Sequence, residues 1–112
     1  MENYPLISIV TVVYNGEKTI EQTINSVLNQ SYPNIEYIII DGDSNDGTMQ
    51  IISKYKDKIA HIVSEKDKGI YDAMNKGISL ASGDIIGLLN SDDYYESDSI
   101  ENIVKHYKPG LN

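Results

Sequence analysis

LISIVTVVYNGEKTIEQTINSVLNQSYPNIEYIIIDGD, residues 6–43, changes its apolar period twice. Residues 6–13 are a short β-branched run that stops at the turn signal Tyr14-Asn15-Gly16. From Glu17 to Gln30 the side chains Ile20, Ile24, Val27 and Leu28 recur at helical spacing, with acids in the first turn. Ser31-Tyr32-Pro33-Asn34 breaks that helix. IEYIII (35–40) then reads as a second strand, almost continuously apolar, ending at Asp41-Gly42. Strands of that kind are buried on both faces and belong to parallel sheets.

The alternation continues to the end of the chain. Asp46-Gly47-Thr48 opens a helix carrying Ile51, Ile52 and Tyr55, and IAHIVS (59–64) is a third strand. Ala73, Met74, Ile78 and Ala81 mark a helix between Tyr71 and Ala81, and the run from Asp84 to Leu89 is a fourth strand. Ser97 is expected to cap a last helix through Ile100, Ile103, Val104 and Tyr107, which Pro109-Gly110 ends. This β-α-β-α-β-α-β-α order predicts an α/β fold, a mostly parallel sheet with helices on both faces.

Composition narrows the chemistry. The 112 residues are 40% hydrophobic and 23% charged, a globular balance, and no linker or repeat divides them. Cysteine is absent, which removes disulfides, thiolate metal sites and cysteine nucleophiles together. His61 and His106 are too far apart in sequence to suggest a multi-histidine metal site. No apolar run is long enough to span a bilayer, and MENYPLIS lacks the basic start of a signal peptide. The expectation is a cytoplasmic chain. A net charge of −8 makes free nucleic acid a poor partner.

In a parallel α/β sheet, ligands sit outside the carboxyl ends of the strands. That rule selects Thr11 to Glu17, Asp41 to Asp46, and Asn90 to Asp93, and predicts that these acid-rich segments converge. Clustered carboxylates repel one another unless a cation lies between them. A calcium loop starting at Asp41 fails, because its sixth and twelfth positions are Asp46 and Ile52 rather than Gly and an acid. A two-component receiver fails too, having no acid pair after the first strand. Asp41-Gly42-Asp43 fits the D-x-D of a haloacid-dehalogenase-like phosphotransferase, with Asp92-Asp93 as magnesium acids, although that nucleophile normally follows the first strand. The remaining reading is a nucleotide-diphosphate site. A strand-end carboxylate accepts from a base or ribose, a tyrosine covers the base, and a divalent cation bridges diphosphate to Asp92. Lys66 and Lys68, just past the third strand, are candidates for phosphate contact.

The segments SIVTVVYNGEKTIEQTINSVLNQSYPNIEYIIIDGDSNDGT (8–48) and SEKDKGIYDAMNKGISLASGDIIGLLNSDD (64–93) resemble the donor-binding part of a family 2 glycosyltransferase of the GT-A fold. The resemblance covers nearly the whole chain, in the family's order and spacing. It implies nucleotide contacts at Thr11, Tyr14 and Glu17, and a base contact at Asp41. The family often has a second Asp directly after that acid; this chain has Gly42 and then Asp43. Asp67 and Gly69 match the acid and glycine lining the ribose-diphosphate region. The family's metal motif reads Asn90-Ser91-Asp92 here, its first acid replaced by an amide. Asp92 is then the cation ligand, with Asp93 beside it, and the cofactor a divalent cation, Mn or Mg.

Each candidate also has a plainer reading. Tyr14 suits a surface aromatic, Glu17 and Asp46 suit helix N-termini, and Asp93 suits a turn. Asn75 and Gly77 read as packing residues. The resemblance implies transfer of a sugar, from UDP-sugar above other donors, to a glycan or lipid-linked acceptor in surface polysaccharide synthesis. It places the acceptor half and the catalytic base beyond Asn112, so residues 1–112 read as a truncated N-terminal donor-binding portion, inactive alone. The alternative is a non-catalytic nucleotide-binding or assembly module. Peripheral membrane association of the full protein, and self-association through exposed sheet edges, complete the expectations.

Overall fold

The computed structural model describes residues 4–106. Strand β1 (Ile7–Val13) is buried at every position. It lies between β2 (Ile35–Asp41) and β4 (Ile85–Leu88), both parallel to it. Strand β3 (His61–Ser64) pairs with the outer side of β2, so the order is β3-β2-β1-β4, all parallel. The near-continuous apolar runs of β1 and β2 follow from this central position.

Among the described residues four α-helices cover the sheet: α1 (Ile20–Leu28), α2 (Thr48–Ser53), α3 (Ile70–Leu80) and α4 (Ser99–Lys105). Alternation along β1 sends Ile7, Ile9 and Val13 to one face. There they pack with Ile20, Ile24 and Val27 of α1, Ile52 of α2 and Ile100 of α4. Val10 and Val12 face the other way, with Ile38 and Ile40, onto Ala73 of α3. Isoleucine thus does the work that Phe and Trp do elsewhere, each fully buried copy contributing about 1.5–3 kcal/mol.

Gly77 sets how closely α3 approaches the sheet: a Cβ there would lie 2.3 Å from Val10 Cγ1. Alanine would raise helix propensity by up to about 1 kcal/mol. The clamped, β-branched Val10 cannot retreat, however, and overpacking costs about 1–3 kcal/mol. Gly77→Ala is therefore expected to lower the urea midpoint of unfolding; a midpoint at or above the parent's would contradict this packing.

At the amino ends of the strands, Glu36 ties three segments together. Its carboxylate accepts from the Ser8 hydroxyl (2.7 Å), the Ser82 N–H (2.9 Å) and the Ser82 hydroxyl (2.8 Å). Burial opposes the charged form, but these bonds outweigh it and hold the carboxyl below its ordinary 4.5. A depressed folded-state value adds stability that is present above pH 4.5 and is lost as pH falls through that lower value. Glu36→Gln should therefore cost stability at pH 7 and progressively less below pH 4.5. A pH-independent difference in melting temperature would refute the linkage.

Some boundaries differ from the sequence reading. Helix α1 starts at Ile20 rather than Glu17, because Gly16 to Thr19 form a turn in which Thr19 and Ile20 donate to the Gly16 carbonyl. Helix α2 stops at Ser53, and Tyr55 instead donates its hydroxyl to Glu21 across the face. Ser97 is not the cap of α4: the preceding residue is Asp98, no side chain caps the helix, and the Ser97 carbonyl accepts from Ser31 N–H. Tyr107 and Pro109-Gly110 lie outside the described residues.

Helices α1 and α2 carry the chain outward from β1 to β3 on one face. Helix α3 brings it back on the other, to β4 on the far side of β1. The winding reverses between β1 and β4, and a crevice opens at their carboxyl ends.

Candidate functional site

That crevice has a volume of about 580 Å³. Val12 and Val13 form its floor, Tyr14 to Gly16 one wall, Asp67, Gly69 and the first turn of α3 a second, and Asn90 to Asp92 a third. Six of the candidates therefore converge: Tyr14, Asp67, Gly69, Asn90, Ser91 and Asp92. Tyr14 is 62% exposed, so its ring is available to a ligand.

The other candidates are elsewhere, each for a definite reason. Thr11 shares the face of Ile9 and Val13; it is fully buried and its hydroxyl pairs with Tyr37 Oη at 2.8 Å. Burial holds that Tyr37 phenol far above its ordinary value, and the pair is structural. Asp41 is also fully buried. One oxygen accepts from Ser44 N–H (3.0 Å) and Ser64 Oγ (2.8 Å), the other from Ser44 Oγ (2.5 Å). Its carboxylate faces inward rather than toward a base. Asp43 is exposed on the loop at a φ of 67° and does not line the crevice.

Glu17 closes a clasp between two loops. Its Oε1 accepts from Gly47 N–H at 2.7 Å. Asn15 N–H donates to Ser44 Oγ (2.7 Å), Asn45 N–H to Asn15 Oδ1 (2.9 Å), and Gly16 N–H to Thr48 Oγ1 (2.9 Å). Asp46 accepts from the Thr48 hydroxyl, the main reason its carboxyl titrates below its ordinary value. The chain Asp41–Ser44–Asn15 thus links the end of β2 to the wall that carries Tyr14.

Thr23 is a site residue that sequence reasoning missed. It is buried on the apolar stripe of α1, and its hydroxyl lies 2.8 Å from the Ser91 carbonyl and 2.5 Å from that of Asp93. It anchors the 90–93 turn, which the Asp93 N–H to Asn90 carbonyl bond closes at 3.1 Å. The available signal was a threonine inside a helical apolar stripe. Asp93 itself serves this turn through its backbone N–H and carbonyl, and it does not line the crevice.

Gly69 precedes α3 with φ 120° and ψ −179°, a conformation open essentially to glycine alone. It aims its N–H at Asp67 Oδ1, 3.1 Å away. Lys66 and Lys68 do not line the crevice. Lys76 is held by Glu65 at 3.0 Å and Asp72 at 3.6 Å.

Among the described residues no three His, Cys, Asp or Glu side chains are grouped to hold a metal. The donor set suits a different kind of site. Magnesium-type cations are commonly held by one or two carboxylates, several waters and the substrate's own phosphates. Asp92, exposed at the crevice with neutral Asn90 beside it, fits a cation that is shared with a diphosphate.

Compared with known families, residues 8–111 match Glycosyl transferase family 2. The chain belongs to that family. It is 43% identical over 98 residues to the Escherichia coli UDP-Glc:alpha-D-GlcNAc-diphosphoundecaprenol beta-1,3-glucosyltransferase WfaP, covering 87% of this chain and 39% of WfaP. S. aureus TarS, solved with UDP-GlcNAc, matches with a TM-score of 0.81 and 27% identity, covering 89% of this chain and 30% of TarS residues 1–349. Mannosyltransferase PcManGT from Pyrobaculum calidifontis, solved with GDP-Man and Mn2+, matches at 0.84 and 25% identity, covering 92% of this chain and 32% of that one. The family 2 chain spans about 40% of the length of the first curated relatives it matches. Its four-stranded parallel sheet is that of the GT-A glycosyltransferases. Family membership overturns the phosphotransferase reading, and the geometry agrees: Asp41, as the nucleophile, would be buried with both oxygens already hydrogen-bonded.

Proposed function

We propose that residues 1–112 form the donor-binding portion of an enzyme that transfers a sugar from a UDP-sugar to a glycan or lipid-linked acceptor. The observation that carries this reading is the convergence of Tyr14, Asp67, Gly69 and Asn90-Ser91-Asp92 at the β1/β4 switch point. The UDP-Glc and diphosphoundecaprenol in the name of WfaP, and the UDP-GlcNAc bound to TarS, support the donor and acceptor classes.

Tyr14 offers a ring face to the base and excludes water from it. Asn90 hydrogen-bonds a ribose hydroxyl through its amide, and Asp92 supplies the carboxylate for the cation. A bound Mn2+ or Mg2+ would neutralise the charge on the departing diphosphate. The base that deprotonates an acceptor is assigned to the remainder of the enzyme, since the chain covers only about 40% of its relatives' length. Among the described residues no helix is long and apolar enough to cross a membrane. The lipid-linked acceptor in the name of WfaP supports a reading in which the full protein works peripherally, at the inner face of the membrane. Ile86 and Leu88, 41% and 46% exposed on edge strand β4, support self-association of the 112-residue chain.

The test is nucleotide release by the full-length protein from UDP-, GDP- and dTDP-sugars, with and without glycan and lipid-linked acceptors. Acceptor-stimulated UDP release is expected. Binding of UDP-sugars without acceptor-stimulated turnover would instead establish a non-catalytic module.

A further inference from the structure

The base of the nucleotide needs a hydrogen-bonding partner, and at this site it cannot be Asp41. Both Asp41 oxygens are taken by Ser44 and Ser64 and the residue has no exposed surface. The next position is Gly42, which has no side chain. A Cβ built on Gly42 would lie 2.9 Å from Asp67 Oδ2 and 3.5 Å from its Cγ. The Asp67 carboxylate therefore occupies the volume that a side chain at 42 would take, although 25 residues separate the two in sequence.

The carboxylate is also oriented. Oδ1 is held by Gly69 N–H, which reaches it through the positive-φ conformation of Gly69. Among the described residues Oδ2 receives no hydrogen bond from the protein, and Asp67 lines the crevice. A half-buried carboxylate with one oxygen fixed and the other open is an acceptor of set direction.

Resting on the nucleotide-site reading above, we propose that Asp67 is the base-selecting residue, and that it accepts from the ring N3–H of uracil. Cytosine discriminates itself, because its N3 is a lone pair and would face the carboxylate oxygen. Glycine at 42 is then a requirement of specificity: any larger residue displaces Asp67 Oδ2.

The experiment is calorimetric titration of the full-length protein with UDP and with CDP, each with Mn2+. The parent is expected to prefer UDP. Asp67→Asn replaces one acceptor by a donor, and loss of a buried hydrogen-bond partner is expected to weaken UDP roughly 5- to 150-fold. CDP binding should hold or improve, so that the preference collapses. Gly42→Ala, which leaves Asp67 chemically intact, should erode the same preference, and melting curves verify that both variants are folded. Equal losses for UDP and CDP in folded Asp67→Asn, with the preference intact, would overturn this assignment while leaving the nucleotide site standing. Failure of the parent to bind any nucleoside diphosphate would overturn both.

Discussion

Asp92→Ala is expected to abolish the cation-dependent part of UDP binding. The protein carries −8 overall, so a diphosphate enters this crevice against an unfavourable field unless a cation accompanies it. Asp92 is the one acid of the 90–93 turn on the crevice wall; Asn90 adds no charge and Asp93 lies off the lining. Thr23 anchors that turn through the Ser91 and Asp93 carbonyls, so the loss of the Asp92 carboxylate leaves its geometry in place. Contacts to a charged group carry about 1.5–3 kcal/mol, roughly 10- to 150-fold in affinity. Calorimetry of parent and variant with UDP, with manganese and with chelator, reads the effect. Manganese stimulation of equal size in the variant would show that the ligand is another residue.

Asp41→Asn should act on the whole site rather than on the base. An asparagine cannot accept three hydrogen bonds at two oxygens: its NH2 would face either the Ser44 hydroxyl or the Ser64 hydroxyl and Ser44 N–H, groups that now donate. Leaving a buried polar group mismatched costs about 1–3 kcal/mol. The effect travels along Ser44 to Asn15 and so to the wall that bears Tyr14. The expected result is a lower melting temperature together with weakened UDP and CDP binding in the same proportion. A selective loss of UDP, with stability unchanged, would return base recognition to Asp41.

The contrast between Asp41 and Asp67 shows where sequence reasoning stopped. The β-α alternation was legible because β1 and β2 are buried on both faces, and periodicity reports burial directly. Of the three strand ends that the switch-point rule selected, those after β1 and β4 line the crevice with Tyr14 and Asn90 to Asp92, and the Asp41 to Asp46 end does not; Asp67 and Gly69, which entered through the family resemblance, join them there. Side-chain direction was the weaker inference. Thr11 stands two residues from Ile9 and Val13, so period-two alternation puts it with them under the helices. Glu17 lies at the correct loop but is spent on Gly47 N–H, a partner 30 residues away. The Thr23 anchor spans 68 and 70 residues. Such bonds depend on how loops from separate strands come together, which propensity and spacing do not encode. The Gly42–Asp67 complementarity is of the same kind.

The most direct test of the account is the location of the bound nucleotide and its cation. With 15N-labelled full-length protein, UDP and substoichiometric Mn2+, paramagnetic broadening should centre on the amides of Asn90, Ser91 and Asp92. It should extend to Tyr14 to Gly16 and to Asp67 to Ile70, and spare the smaller cavity of about 220 Å³ near Tyr32, Ile35 and Lys58 at the amino end of β2. Broadening centred on that second cavity, or on the exposed acids around Asp43, would contradict the assignment of the donor site to the β1/β4 crevice.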